Sequence, residues 1–166
     1  MGSGAANGCA IDPGFADPAT AAGRVQLHRH TVADYFLEEV LSRQPPEVAE
    51  FMLATSVLDE LSVAACTAVW GQGSAKMLEF LYGAHMFVAI VDEQAGTYRY
   101  HQLIREVLQT ELHARDPVRE KRLHEAAARY LIEAGQTGAA VRHLLAAGQQ
   151  AAAFSLLSEG VVRDKP

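Results

Sequence analysis

The chain has 166 residues, of which 49% are apolar and 20% charged, and its formal net charge is -6. That is enough apolar material for one large domain or two small ones, and the acidic balance argues against a general polyanion-binding protein, because nonspecific affinity for nucleic acid depends on a basic face. The two cysteines, Cys9 and Cys66, lie far apart and neither belongs to a CxxC pair. This usage predicts a reducing cytoplasm, without a disulfide framework or a zinc site.

The N-terminal segment, residues 1–30, is rich in Gly, Ala, Pro and Asp and has no periodicity, which predicts a linker or a frayed end. His28 and His30 lack a carboxylate or thiol at a suitable spacing, so no metal site is predicted there. The segment does not have the basic start and apolar core of a signal peptide, and no run in the chain reaches membrane-spanning length.

Helices are predicted for most of the chain up to residue 84. Residues 33–43 and 46–56 carry apolar side chains at helical spacing. Ser62 is a candidate N-cap for a third helix that ends before the glycines at 71 and 73. Ser74 is a candidate N-cap for a fourth helix.

The glycines before Lys76 invite comparison with a phosphate-binding loop. A P-loop requires the lysine directly after its last glycine and a hydroxyl residue directly after the lysine. Lys76 follows Ala75 and precedes Met77. The segment is therefore interpreted as a turn between two helices.

A β-hairpin followed at once by a helix is the centre of the sequence. Residues 86–91 and 97–101 have extended patterns, and the turn residues DEQAG separate them. From Leu103 the apolar spacing becomes helical. His101 lies at this junction between strand and helix. Helices followed by a hairpin in this order predict a winged helix.

The C-terminal part predicts antiparallel helices. Asp116 and Pro117 form an N-cap and first helical position, and helices are expected over residues 117–134, 137–147 and 150–158, the last of them before Gly160. Alanines at the contacts and short glycine turns are typical of the tetratricopeptide type. Because such a solenoid needs about three repeats to bury its faces, we expect the chain to be part of a longer polypeptide.

Three segments together resemble one family. They are DYFLEEVLSRQPPEVAEFMLATSVLDELS, YRYHQLIREVLQTEL and LHEAAARYLIEAGQTGAAVRHLLAAG, at residues 34–62, 98–112 and 123–148. They look like the winged helix and first solenoid region of the MalT-type signal-transduction ATPases, the large LuxR-family regulators. The expected architecture is mainly α: a linker at 1–30, a winged-helix domain with one β-hairpin at 31–115, and the start of a tetratricopeptide-like solenoid at 116–166.

The resemblance implies a multidomain switch with an ATPase domain, this winged helix, a sensor solenoid and an output domain. The output is usually a DNA-binding helix-turn-helix, and in related bacterial chains it is a protein kinase. The chain is then a non-catalytic regulatory module in the cytoplasm that holds no cofactor alone, whereas its parent binds ADP or ATP. Its expected partners are its own ATPase domain and solenoid, and the helical region is a candidate surface for a further protein.

The resemblance also gives His101 a role. In the wider class a histidine of the so-called MHD motif contacts the β-phosphate of bound ADP, and Tyr100, His101 and Gln102 occupy those three places here. Only the histidine matches, so the capping role of the motif's aspartate is not carried over. Arg99 and Arg105 could add to the positive field, but each is rather expected to be a solvated or interdomain salt-bridge residue. The alternative for His101 is a histidine that caps or packs at the corner.

The other candidate residues have ordinary interpretations. Cys66 lies in an apolar helix and is expected to fill the core. His113, His124 and His143 are expected at surface or partly packed positions. No spacing indicates a nucleophile with its base or a pair of catalytic carboxylates, so an enzyme is not predicted.

Two alternatives to the nucleotide-sensing module remain. One is a DNA-binding winged helix, although the helix at 63–70 has no Lys or Arg and the turn of the hairpin carries Asp92 and Glu93. The other is a regulatory domain of a bacterial Ser/Thr kinase. We expect no direct DNA binding by this chain.

Overall fold

The computed structural model describes residues 39, 41–84 and 87–163. The predicted linker at 1–30, its two histidines, Cys9 and most of the helix predicted at 33–43 lie outside the described residues. The described elements, in chain order, are α1 (Pro46–Thr55), α2 (Val63–Val69), α3 (Ser74–Gly83), β1 (Val88–Asp92), β2 (Thr97–Tyr100), α4 (Gln102–Arg115), α5 (Pro117–Glu133), α6 (Thr137–Ala146) and α7 (Gln150–Arg163).

Local signals determine where the first helices begin. Pro46 occupies the first turn of α1, where its missing N–H costs nothing. The Ser62 hydroxyl accepts a hydrogen bond from the Ala65 N–H at 3.1 Å, which confirms it as the N-cap of α2. The prediction for Ser74 was wrong. The N-cap of α3 is Gly73, and Ser74 is the first residue of the helix. Gly73 has a φ of 91°, a left-handed conformation that glycine adopts readily.

The hairpin is antiparallel and its turn lies where the sequence predicted it. Ala89 is opposite Arg99 and Ile90 is opposite Tyr98, with a bulge before Asp92. The Asp92 carboxylate accepts hydrogen bonds from two backbone N–H groups in the turn. Leu61 adds a contact that the sequence did not predict, because it exchanges backbone hydrogen bonds of 2.7 and 2.9 Å with Tyr98.

One core joins the winged helix to the start of the helical region. Phe51 of α1 is fully buried and meets the ring of Trp70 edge to face, with 5.7 Å between centroids. Leu123 and Ala127 of α5 belong to the same buried cluster. Cys66 also lies there, as expected, and burial raises the pKa of its thiol to about 12.

The helical region beyond α5 has a smaller core of its own. Four buried side chains of α5, α6 and α7 form it, namely Ala128, Val141, Leu144 and Ala153. Gly135 and Gly148, with φ of 72° and 80°, make the tight turns between these helices. The fold class, mainly α with one β-hairpin, is confirmed, and the tetratricopeptide assignment of α5–α7 stays a prediction.

No helix within the described residues is both long and apolar enough to cross a membrane.

Candidate functional site at the start of α4

His101 lies between β2 and α4 with its side chain exposed to solvent. Its backbone is held on both sides: its N–H donates to the carbonyl of Phe87 at 2.9 Å, and its own carbonyl accepts from the Arg105 N–H at 3.0 Å. The imidazole makes no capping hydrogen bond to the helix. The backbone of His101 is therefore fixed, whereas its side chain is available to a molecule outside the chain.

The anchor of His101 has an unusual conformation. Phe87 has a φ of 60°, in the left-handed region that non-glycine residues rarely adopt, and it packs against the main core. Such a residue costs roughly 1–3 kcal/mol and persists only where its surroundings hold it in place. The core packing of Phe87 thus determines where the start of α4 lies.

The N-terminus of α4 is open, whereas that of α5 is closed. The first N–H groups of any helix lack an intrahelical partner and attract negative charge. In α5 the Asp116 carboxylate accepts one of them, from Arg119, at 2.8 Å. Among the described residues, the side chain of the N-cap His101 makes no capping hydrogen bond to α4, and the first turn of this helix has no acidic residue. The start of α4 can therefore accept an external anion beside His101.

Gln102 takes the place that aspartate has in the MHD motif. Its side-chain amide donates to the Glu106 carboxylate at 3.0 Å instead of capping the helix. The capping role of that aspartate is accordingly absent from this site, as its replacement by glutamine in the sequence suggested.

The structure gives Arg99 and Arg105 partners of their own. Arg99 forms an exposed ion pair with Glu60 at 2.9 Å. Arg105 pairs with Asp59 at 2.7 Å and donates to the carbonyl of Ser56 at the end of α1. Both partners belong to the winged helix itself, so an interdomain salt bridge of Arg99 or Arg105 stays a prediction.

The two arginines line a groove of about 1120 Å³ that lies between the segment after α1, the hairpin, α4 and the α5–α6 pair. Gln102 reaches this groove, but His101 is not among the residues that line it. His101 therefore lies at the N-terminus of α4, whereas Arg99 and Arg105 lie on the wall of the neighbouring groove.

Asp59 is a site residue that the sequence analysis missed. Its carboxylate receives Arg105 of α4 on one oxygen and Arg142 of α6 on the other, at 2.7 and 2.9 Å. Partial burial alone would raise the pKa of Asp59, but the hydrogen bonds from Arg142 and Arg105 outweigh it and leave the pKa below its ordinary value. We call this arrangement the Asp59 clasp. Arg142 is 83 residues distant in the sequence, and no local pattern could have paired the two.

A second unexpected arrangement lies at the α5–α6 interface. The Nδ1 atoms of His124 and His143 are 2.9 Å apart, and only 5% of His143 is exposed. Burial, together with the neighbouring His124, lowers the pKa of His143 to about 4, and burial lowers the pKa of His124 below its ordinary value. The expectation of an ordinary surface or partly packed position was wrong for His143, because α5 covers the face of α6 that carries it.

The surface position predicted for His113 is confirmed. His113 is exposed and pairs with Glu120 at 2.6 Å. Within the described residues, no three His, Cys, Asp or Glu side chains are placed to hold a metal ion together.

Helices, a two-stranded wing and a helix that follows at once define the class of protein as a winged-helix domain. Residues 37–120, about half of the chain, match the family model of the MalT winged helix domain, and the chain belongs to this family. The resemblance stated from the sequence is confirmed.

The curated relatives carry the same family name. The HTH-type transcriptional regulator MalT of Vibrio cholerae serotype O1 is 33% identical over 108 residues, which are 64% of this chain and 12% of that protein. The regulator of the same name from Vibrio campbellii is 33% identical over 102 residues, 61% of this chain and 11% of that protein. The chain thus spans only about a tenth of the length of these relatives.

Proposed function

We propose that this chain is the nucleotide-sensing winged helix of a MalT-type transcriptional regulator. In this role His101 contacts a phosphate of the nucleotide that a separate ATPase domain holds. The winged helix then relays the nucleotide state to a helical sensor region. The chain itself is not catalytic, and its nucleotide, ADP or ATP, belongs to the parent protein.

The open start of α4 is the observation that carries the proposal. An exposed imidazole, the first backbone N–H groups of a helix that its N-cap side chain does not cap, and the positive end of this 14-residue helix point the same way. A phosphate supplied by another domain would accept hydrogen bonds from these groups. A protonated His101 would add a charge-assisted hydrogen bond to that phosphate.

Rigid packing supports the relay. Leu123 and Ala127 of α5 lie in the core of the winged helix, and Arg119 of α5 pairs with Glu50 of α1. The Asp59 clasp adds a connection between α4 and α6. A movement of the winged helix would therefore carry α5 and α6 with it.

The surface does not favour direct DNA binding. The helix before Gly71, which would be the reader in a DNA-binding winged helix, contains no Lys or Arg, and the turn of the wing exposes Asp92 and Glu93. Phosphate contacts need cations on this face. We accordingly assign transcriptional output to another part of the parent protein.

The experiment that tests the proposal is His101→Ala in the full-length regulator. Loss of a hydrogen bond to a charged group should weaken ADP retention about tenfold or more, measured by release of a fluorescent ADP analogue. Spontaneous activation of a reporter gene should rise accordingly. The isolated chain should bind no measurable ADP in calorimetry, because the ATPase domain supplies most of the contacts.

The matched control is His113→Ala, which removes an exposed histidine from the last turn of the same helix. It should leave ADP release and reporter activity unchanged. Unaltered ADP release in the His101 variant would contradict the phosphate contact, and equal effects of the two substitutions would indicate a general loss of α4 stability instead.

A further inference from the structure

Two contacts, one apolar and one polar, hold the α5–α6 pair against the winged helix. Leu123 and Ala127 of α5 make the apolar contact in the main core. The polar contact is formed by the Asp59 clasp together with the partly buried His124 and the buried His143, which we call the histidine pair. Because α6 packs mainly on α5 and α7, its position against the winged helix depends strongly on this polar contact.

The hydrogen bond of the histidine pair tolerates one added proton but not two. With 2.9 Å between the two Nδ1 atoms, one nitrogen must donate a proton and the other must accept it. A first added proton can bind Nε2 of the donating ring and leave this hydrogen bond in place, whereas a second, on the accepting Nδ1, would make both atoms donors, directed at each other. It would also place positive charge on rings that are largely removed from water. The rings would then have to separate.

The carboxylates of Glu120 and Asp59 favour a proton on the histidine pair, but burial of the rings outweighs them. Glu120 of α5 already pairs with His113, and Asp59 is shared by two arginines. Arg105 of α4 and Arg142 of α6 oppose a further positive charge. α2, which also packs on α5, presents no charged side chain.

Separation of the rings would reach the Asp59 clasp directly. His143 and Arg142 are neighbours in α6, and both line the groove whose opposite wall contains Asp59. A displacement of α6 that relieves the contact between the two imidazoles therefore also moves the guanidinium that bridges the groove. The histidine pair and the Asp59 clasp should therefore open together.

We propose that the histidine pair is a proton-sensitive latch that holds α6 against the winged helix. In the neutral pair, the shared hydrogen bond keeps α6 in place and Arg142 on Asp59. When both rings are protonated, the rings separate, Arg142 leaves Asp59 and the groove between α4 and α6 widens. The low pKa of His143, caused by its burial, agrees with a latch that is closed near neutral pH. This mechanism does not depend on the phosphate contact of His101.

The latch is tested on the 166-residue chain by amide hydrogen exchange at several pH values, corrected for the intrinsic pH dependence of exchange. Between about pH 7 and pH 4.5, exchange in α6 should accelerate by about tenfold or more while α1 stays protected. The double variant His124→Gln, His143→Gln has no titrating ring at this position, so its α6 should not show this acceleration.

A second measurement needs no substitution. Imidazole nitrogen NMR of the unmodified chain should find one protonated and one unprotonated Nδ1 in the pair at neutral pH, and the amide signals of α6 should shift with the midpoint of the pair. The latch is overturned if the pair titrates without any change in α6, or if α1 and α6 lose protection together. An α6 acceleration that persists in the double variant would overturn it as well.

Discussion

His101 and His143 lie in opposite environments of the same molecule. His101 is exposed at the uncapped start of α4, and the Nδ1 of His143 is hydrogen-bonded within a nearly closed helix interface. The first side chain contributes little to the folded chain and is available to a partner. The His143 side chain is packed within the interface between α5 and α6. Availability, rather than residue type, distinguishes a candidate contact residue from a structural one.

The largest expected difference between the two histidines is in stability. His143→Ala leaves a cavity and removes the hydrogen-bond partner of His124, which should lower the free energy of unfolding by roughly 2–4 kcal/mol. His101→Ala should change it by less than about 0.5 kcal/mol, as is usual for exposed positions. Urea unfolding followed by far-UV circular dichroism measures both values. Equal losses would contradict the division between an available and a structural histidine.

As the pH decreases, protonation of His143 should lower the stability of the chain at a higher pH than protonation of Asp59 does. The pKa of His143 is about 4 in the folded chain and about 6.5 when unfolded, so the unfolded chain takes up the proton first. The contribution of His143 to the free energy of unfolding is therefore fully present above about pH 6.5 and is lost, by about 3 kcal/mol, as the pH decreases from about 6.5 to about 4. The pKa of Asp59 is lowered from 3.8, so its contribution is lost only at still lower pH.

This pH dependence is checked by unfolding curves between about pH 7 and pH 4. The double variant His124→Gln, His143→Gln should have a flatter profile in that range. The His101→Ala profile should follow that of the unmodified chain. A parallel profile for the double variant would show that other groups cause the acid sensitivity.

The smallest expected effect is the gain in stability from placing a capping residue at position 101. His101→Asp supplies α4 with the kind of cap that Asp116 gives to α5, and should stabilise the chain by about 0.5–1 kcal/mol. In the full-length regulator the same carboxylate would repel the phosphate, so ADP retention should fall. Thermal unfolding and ADP release measure the two effects. A variant that is both more stable and normal in ADP retention would contradict a phosphate contact at this position.

Asp116→Ala is the matched substitution at the closed helix start. It removes the acceptor of the Arg119 N–H and should cost about 1 kcal/mol. A neutral outcome would indicate that the cap contributes little here, and the expected gain from His101→Asp would then be reduced as well.

The sequence predicted the elements of the fold because their signals are local. Ser62, Pro46 and Asp116 marked helix starts correctly, and the turn at residues 92–96 separated the two strands. Ser74 was misplaced by one position, because a glycine in the left-handed region and a serine can both precede a helix. Local spacing also singled out His101 by its place between a strand and a helix.

The remaining parts of the site depend on contacts between distant segments. Asp59 meets Arg142, and His124 meets His143, only after α5 and α6 have packed against the winged helix. Neither pair has a spacing that differs from that of solvated charges or surface histidines. The burial of His143 follows from which face of α6 is covered by α5, and this depends on the angle between two helices that the apolar pattern alone does not determine.

The single tryptophan has a practical consequence for these measurements. Trp70 meets Phe51 beside the core of the winged helix, whereas α6 and α7 share a separate small cluster. Its fluorescence therefore monitors the winged helix and is insensitive to a local opening of α6. Unfolding curves that differ between tryptophan emission and the helical circular dichroism signal would reveal such an opening without any label.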